Sequence, residues 1–263
     1  MIRAVRAEFL LMHRPRLWAV LLAVTAVFSV AVTYAFIAGA EDAVNGAASR
    51  VTVTMGDLAS PGGATAGVVA ALSFSSLLVF AAFVASTANE YTRGTLRSAF
   101  TRAPDRLGVV GGKVAARFGV TLGLMLIALV VGVVTAVVAA PSGVDTAGWF
   151  GGSAVTATLE AVLRLVAYLA FFAVIGTAFA VVFRSTPLAL GVGLVWFGPI
   201  ENAIGEGRDW ADRWFPGLIA RAEVRPDPSG AISTATAVGT MALYAAIAVA
   251  VTAWLVQRRD VTA

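Results

Sequence analysis

The sequence reads as an all-α integral membrane protein, with six transmembrane helices, an N-terminal amphipathic interfacial helix and both termini cytoplasmic. Three observations carry that expectation. Of the 263 residues, 59% are hydrophobic and 13% charged, and the mean hydropathy is +0.86. A soluble domain has no means of hiding so much apolar surface. The apolar residues also fall into long runs of about 20 residues, the length that crosses a bilayer. Lys and Arg gather at alternate ends of those runs.

Residues 1–16 precede the first run. Ile2, Val5, Phe9 and Met12 recur three or four apart, while Arg3, Arg6 and Glu8 point elsewhere. That spacing predicts an amphipathic helix lying along the cytoplasmic interface. Pro15 breaks it before the first span. Six apolar runs follow, at 17–38, 64–88, 114–140, 153–183, 188–204 and 232–256. They make one transmembrane domain over 17–256, with a short cytoplasmic tail at 257–263. The fourth run is longer than a bilayer needs and must tilt. The fifth is the shortest and is interrupted by Gly198-Pro199.

Orientation follows from the basic residues. Thirteen of the 19 Lys and Arg fall in the N-terminal segment, the second and fourth interhelical loops and the C-terminal tail. Five (Arg50, Arg208, Arg213, Arg221 and Arg225) fall in the other loops, and Arg164 lies inside a span. The richer side is cytoplasmic by the positive-inside rule. Ala38-Gly39-Ala40 resembles a signal cleavage site, but the apolar run before it is about 21 residues, beyond the ~7–15 of a signal core. The first run is therefore expected to stay as a helix. Trp18 and Trp254 on one side and Trp149, Trp210 and Trp214 on the other suit interfacial anchoring.

The loops between spans are modest. Residues 41–63 carry the turn signals Asn45-Gly46 and Ser60-Pro61-Gly62-Gly63. The longest external loop, about 205–231, holds Trp210, Trp214, Phe215, Leu218 and Ile219, enough for one or two short helices on the outer leaflet. Pro226-Asp227-Pro228 ends them. Gly119-x-x-x-Gly123 in the third run permits close helix approach, either within the chain or at a dimer seam.

Several chemistries are excluded. There is no cysteine and a single histidine, His13, so neither a thiolate nor a His/Cys metal cluster can form. The stretch nearest a phosphate-binding loop, 108–114, has its first glycine misplaced and Val114 where magnesium needs a hydroxyl. Gly191-Val192-Gly193 lacks the third glycine of a dinucleotide loop. The basic residues flank spans and leave no aromatic-basic surface for nucleic acid. No cofactor site is expected in this chain.

Charges inside spans are costly and tend to mark function. Glu160 and Arg164, four apart on the fourth span, share a face. They read either as a structural ion pair or as a polar element in the outer part of a pathway. Glu201 follows the Gly198-Pro199 break, either lining an outer gate or marking the helix exit.

The cytoplasmic loop of about 89–113 is the polar island of the first half. Glu90 closes the second span and is placed to accept hydrogen bonds from Thr92 or from the backbone of a following short helix. Gly94 permits a tight turn, and Pro104-Asp105-Arg106 starts a new helix. Lys113 and Arg117 anchor the third span at the headgroups. The loop reads as helix, turn, helix with its charges exposed, serving either as a docking surface or only as a topogenic loop.

Glu90-x-x-x-Gly94-Thr95-Leu96-Arg97, followed by Pro104-x-Arg106 and Lys113, resembles the corresponding loop of ABC-2 type ABC transporter permeases. The likeness extends in topology over nearly the whole chain, including Ala7-Glu8-Phe9 before the first span and Arg258-Arg259-Asp260-Val261 at the end. The stretch Phe100-Thr101-Arg102-Ala103 departs from the more apolar one usual there. The resemblance implies a permease subunit in a bacterial plasma membrane, crossing it several times and working as an exporter. It implies two cytoplasmic ATPase subunits that carry ATP and Mg, and a second copy of this permease or a related one. Glu90, Tyr91, Gly94, Thr95, Arg97, Pro104, Arg106 and Lys113 would couple to the ATPase.

A cavity between two copies would take a hydrophobic or amphiphilic substrate, such as a drug, lipid or peptide. Phe74, Phe80 and Phe83 of the second span and Trp196 and Phe197 of the fifth are its candidate walls, unless they face lipid or pack internally. The rival expectations are an ion-coupled secondary transporter and a non-transporting receptor or assembly protein. The first would want ionisable groups near the middle of the bilayer.

Overall fold

The computed structural model of the protein describes residues 5–6, 8, 15–43, 53–102, 105–141, 143–205, 208–224 and 233–258. The helix expected over 1–16 lies mostly outside these residues. So do His13, Asn45-Gly46, Pro104, Pro226-Asp227-Pro228 and the tail beyond Arg258.

The described residues contain helices and no strand. In chain order they are α1 (Pro15–Ala43), α2 (Met55–Ala59), α3 (Gly63–Phe74), α4 (Ser76–Thr92), α5 (Thr95–Arg102), α6 (Arg106–Val138), α7 (Gly152–Phe183), α8 (Thr186–Val195), α9 (Glu201–Gly205), α10 (Asp209–Trp214), α11 (Pro216–Val224) and α12 (Thr234–Arg258). Five stretches are long and apolar enough to cross a membrane: Pro15–Ala40, Arg106–Val138, Gly152–Phe183, Thr186–Gly205 and Thr234–Arg258. They become six if the bent pair α3 and α4 counts as one span. The run expected as one segment at 64–88 is thus two helices, parted at Ser75. The third span starts at Arg106, eight residues before the apolar run, because the polar first turns continue the same helix.

The chain divides into two compact units. One comprises residues 13–75 and 120–167. Its core gathers Ile37, Leu58, Ala70, Ala136 and Trp149. Thr54 and Asp57 cap α2 reciprocally, the Thr54 hydroxyl accepting from Asp57 N at 3.1 Å and Thr54 N donating to the Asp57 carboxylate at 2.8 Å. Trp149 Nε1 donates to Leu58 O at 2.8 Å. This overturns the expectation that Trp149 is an interfacial anchor, since burial with a bonded indole N–H makes it a core residue. Small residues bring helices close. Ser29 donates to Ala128 O at 2.7 Å, and a Cβ at Gly132 would lie 2.4 Å from Val68 Cβ. Among the described residues Gly123 of the G-x-x-x-G stretch has no neighbour within 4 Å of where its Cβ would sit, so no close approach is made there among them.

The second unit comprises residues 1–12, 76–119 and 168–263. Its centre is aromatic. Phe80 meets Phe179 and Phe197 edge-on, each at 5.4 Å between ring centroids, and Phe197 meets Phe172 at 5.4 Å. Offset and edge-on rings are the arrangement that aromatic quadrupoles favour. Tyr168 donates to Ser76 Oγ at 2.9 Å. The fifth span is broken as expected. After α8 comes a π-helical turn, Trp196–Ile200, with Pro199 inside it. Proline has no N–H to continue the helical ladder, and a wider turn absorbs the defect. Only Arg184 and Ser185 link α7 to α8, and Arg184 takes a left-handed φ of 51°. The loop after α9 holds two short helices, α10 and α11. Buried Gly217, Ile219, Ala220 and Val224 form the inner side of α11.

Candidate functional site

The loop after α4 is built from a tight turn. α4 ends at Thr92, and Gly94 adopts φ 68°, with its N–H donating to Tyr91 O at 3.2 Å. Left-handed backbone suits glycine, so the residue fixes where the helix stops. Thr95 Oγ1 donates to Glu90 O at 3.4 Å and ties the start of α5 back to α4. α5 is amphipathic: Leu96 is buried, and Phe100 packs onto Val110, Val181, Leu255 and Val256. Tyr91 joins the same cluster. Arg93, Thr95, Arg97, Ser98 and Thr101 are exposed. Arg106 stacks its guanidinium 5.7 Å over the Phe100 ring. The start of α6 is capped by Asp105, whose carboxylate accepts from Gly108 N at 2.8 Å. Asp105 is therefore the residue that caps the start of α6.

Two charges of this loop, Glu90 and Lys113, are not exposed as expected. Glu90 joins a four-charge cluster with Glu8, Lys113 and Arg117. Lys113 Nζ donates to Glu8 at 2.8 Å and to Glu90 at 3.0 Å. Arg117 donates to Glu8 from Nε at 3.1 Å and from Nη2 at 2.8 Å, to Thr87 Oγ1 at 3.1 Å, and also to Glu90. The four side chains expose only 9–17% of their surface. Three segments meet here: the N-terminal residue Glu8, the end of α4 through Thr87 and Glu90, and the first turns of α6 through Lys113 and Arg117. Two acids balance two bases, so the cluster is neutral. Burial works against a charged Glu8, but the hydrogen bonds and charges of Lys113 and Arg117 outweigh it and hold its carboxyl below the ordinary range. The expected acceptor role of Glu90 toward Thr92 is not seen, because Thr92 Oγ1 donates to Asn89 O at 3.1 Å.

Glu8, Thr87 and Arg117 are the members of this cluster that reading the sequence missed. The signal was present: Lys113 and Arg117 are four apart and Thr87 and Glu90 three apart, each pair on one helix face.

The other expected site residues scatter. Phe80 and Phe83 are buried inside their own unit, as is Phe197. Gly176 of α7 and Gly193 of α8 let the chain close over Phe80, so these rings pack internally within the chain. Phe74 is 53% exposed and stacks on Phe36 at 6.0 Å, and Trp196 is 38% exposed. Glu160 and Arg164 pair directly, with 64% of the Glu160 side chain exposed. Glu201 is the opposite case, 1% exposed behind the π-helical turn. Its Oε1 accepts from Trp196 Nε1 at 2.8 Å and from Gly217 N at 3.2 Å. Glu201 thus fastens α11 to the broken fifth span. Among the described residues no group of His, Cys, Asp and Glu is placed to hold a metal.

Comparison with curated proteins and with solved structures finds no match. The family model described as ABC-2 family transporter protein matches residues 4–199, which takes in Glu8, the whole loop after α4, the neutral cluster and the start of the broken fifth span. The chain belongs to the ABC-2 transporter family, a family of membrane transport components that work with an ABC ATPase subunit.

Proposed function

We propose that the chain is the permease subunit of an ATP-driven exporter in a bacterial plasma membrane, with both termini cytoplasmic. Two copies, or one copy and a related permease, form the pathway for a hydrophobic or amphiphilic substrate such as a drug, lipid or peptide. Two ATPase subunits carry ATP and Mg, and this chain needs no cofactor of its own.

The observation that carries this reading is the mounting of α5. Its outer face presents Arg97 and small hydroxyl residues, with Arg93 exposed in the turn just before it, while Leu96 and Phe100 seat it on apolar side chains of α6, α7 and α12. Glu90, one turn before it, is bonded to Lys113 and Arg117 of α6, and the same two cations hold Glu8. A push on α5 therefore reaches α4, α6 and the N-terminal segment together through direct bonds. Closure of two ATPases on bound ATP supplies such a push, and alternation of the pathway between inner leaflet and outside follows from it.

Reconstituted complex tests the assignment. Arg97→Glu alters the exposed face without touching the cluster and should weaken copurification of the ATPase. Glu90→Ala should leave the ATPase bound but lower transport per ATP hydrolysed. Unchanged transport and ATPase activity in both variants would remove the coupling role, and repeated isolation without any ATPase would remove the exporter reading.

A further inference from the structure

A groove of about 430 Å³ opens between α7, α8 and α12. Phe179 and Phe183 of α7, Trp196 of the π-helical turn, and Tyr244, Ile247 and Val251 of α12 form most of its wall. The polar atoms of that wall are already engaged. The Tyr244 hydroxyl donates to Trp214 O at 2.7 Å, and Trp196 Nε1 donates to Glu201 at 2.8 Å. A polar occupant would lose its hydrogen bonds to water and find no replacement, whereas hydrocarbon loses nothing.

Size narrows the occupant further. One helical turn, 5.4 Å in pitch and ~10 Å across, fills roughly 420 Å³. The groove holds about one such turn, while a partner span of ~20 residues has more than five. A slender chain fits inside it, whereas a partner span would extend far beyond it.

One end of the groove carries cations. Val181 packs with Leu255 and Val256, so the C-terminal ends of α7 and α12 lie together. Arg184 and Arg258 stand at those ends. Arg258 follows Val251 by seven residues and so continues the grooved face of α12. It is exposed and rests 5.5 Å over the Trp254 ring. Arg184 rests 5.5 Å over the Tyr91 ring, and its buried Nε has no hydrogen-bond partner among the described residues. Stacking on a ring leaves the edge of a guanidinium free to bind phosphate.

From these features we infer that the groove binds one acyl chain of an anionic phospholipid, with its phosphate at Arg184 and Arg258. The site belongs to a single chain and does not depend on which substrate is exported.

Native mass spectrometry of the full chain in detergent tests this, with palmitoyl-oleoyl phosphatidylglycerol or phosphatidylcholine added. Wild type should retain one phosphatidylglycerol about tenfold more tightly than phosphatidylcholine, because both carry the phosphate but the choline cation of the second is repelled by the two arginines. Ala248→Phe, which fills the groove, should lose that lipid. Leu243→Phe, on an exposed part of α12, should keep it. Arg184→Gln with Arg258→Gln removes both cations without changing a residue that lines the groove, and should bind both lipids alike. Equal retention of the two lipids by wild type, or retention of the preference by the double glutamine variant, would overturn the inference. So would undiminished binding in Ala248→Phe.

Discussion

Arg117 and Glu8 stand 109 positions apart in sequence, yet two nitrogens of the guanidinium reach a single carboxylate oxygen, at 3.1 and 2.8 Å. That pairing ties the segment ahead of the first span to α6. Breaking it strands a partly buried charge. Arg117→Ala should lower stability by about 1.5–3 kcal/mol, the worth of hydrogen bonds to charged groups. Arg117→Lys should recover part of the loss, because an ammonium keeps the charge but not the fork. Thermal unfolding in detergent distinguishes the three proteins, and a lysine variant equal to wild type would refute the fork.

The same pair makes attachment of the N-terminal segment depend on pH. Glu8 is held below its ordinary value of about 4.3. A lowered native value means that its contribution is fully present above about 4.3 and fades as the pH falls through the native value. Protease cleavage between Glu8 and Pro15 should therefore quicken on acidification below about 4.3 in wild type. Glu8→Gln should show no such step.

Packing in the aromatic centre gives a contrast between two glycines. A Cβ at Gly176 would lie 2.7 Å from Phe80 O, a backbone atom that does not move easily, whereas Gly123 has open space. Gly176→Ala should destabilise by about 1–3 kcal/mol, as overpacking does. Gly123→Ala should be neutral or stabilising by up to about 1 kcal/mol through helix propensity. Chemical denaturation of the two variants reads both signs.

The mounting of α11 offers a second steric test. At Gly217 a Cβ would lie 2.2 Å from Glu201 Oε2. Gly217→Ala should drive the carboxylate off its Trp196 and Gly217 donors and loosen α11, seen as faster hydrogen exchange over 216–224. Gly217→Ala combined with Glu201→Ala should exchange more slowly than Gly217→Ala alone, because the shortest contact is gone and only that with Phe197 Cδ1 at 3.0 Å is left.

Backbone strain alone is enough to test the turn before α5. Gly94 has φ 68° and no neighbour within 4 Å of a Cβ, so Gly94→Ala adds no clash. It should cost about 1–2 kcal/mol through the left-handed conformation. Stimulation of a copurified ATPase by substrate should fall, while Arg93→Ala, beside it, should leave the backbone unstrained.

The spans were legible because apolar runs of bilayer length need no tertiary information. The break at Gly198-Pro199 was legible too, since a missing N–H is a local property. The bend at Ser75 was not, because serine inside an apolar run carries no stop signal. Trp149 was misplaced for a related reason. A tryptophan at a span end looks the same whether it faces headgroups or a carbonyl, and only Leu58 O, 91 residues away, decides the matter. In the candidate site, the turn at Gly94 and the pairing of Glu160 with Arg164 could be read from spacing. The engagement of Glu90 could not. Its partners Lys113 and Arg117 lie across a loop and Glu8 on another segment, and single-sequence periodicity does not reach between elements.

The neutral cluster has a consequence for how the chain is made. Lys113 and Arg117 count among the basic residues that orient the third span, and acidic residues contribute little to that bias. In the folded chain both cations are matched by Glu8 and Glu90 and leave no net charge at that place. Their orienting role therefore belongs to insertion and their bonding role to the assembled protein. If the third span is oriented as its basic residues suggest, α6 would enter the bilayer with its cations unmatched and the acids would close on them afterwards.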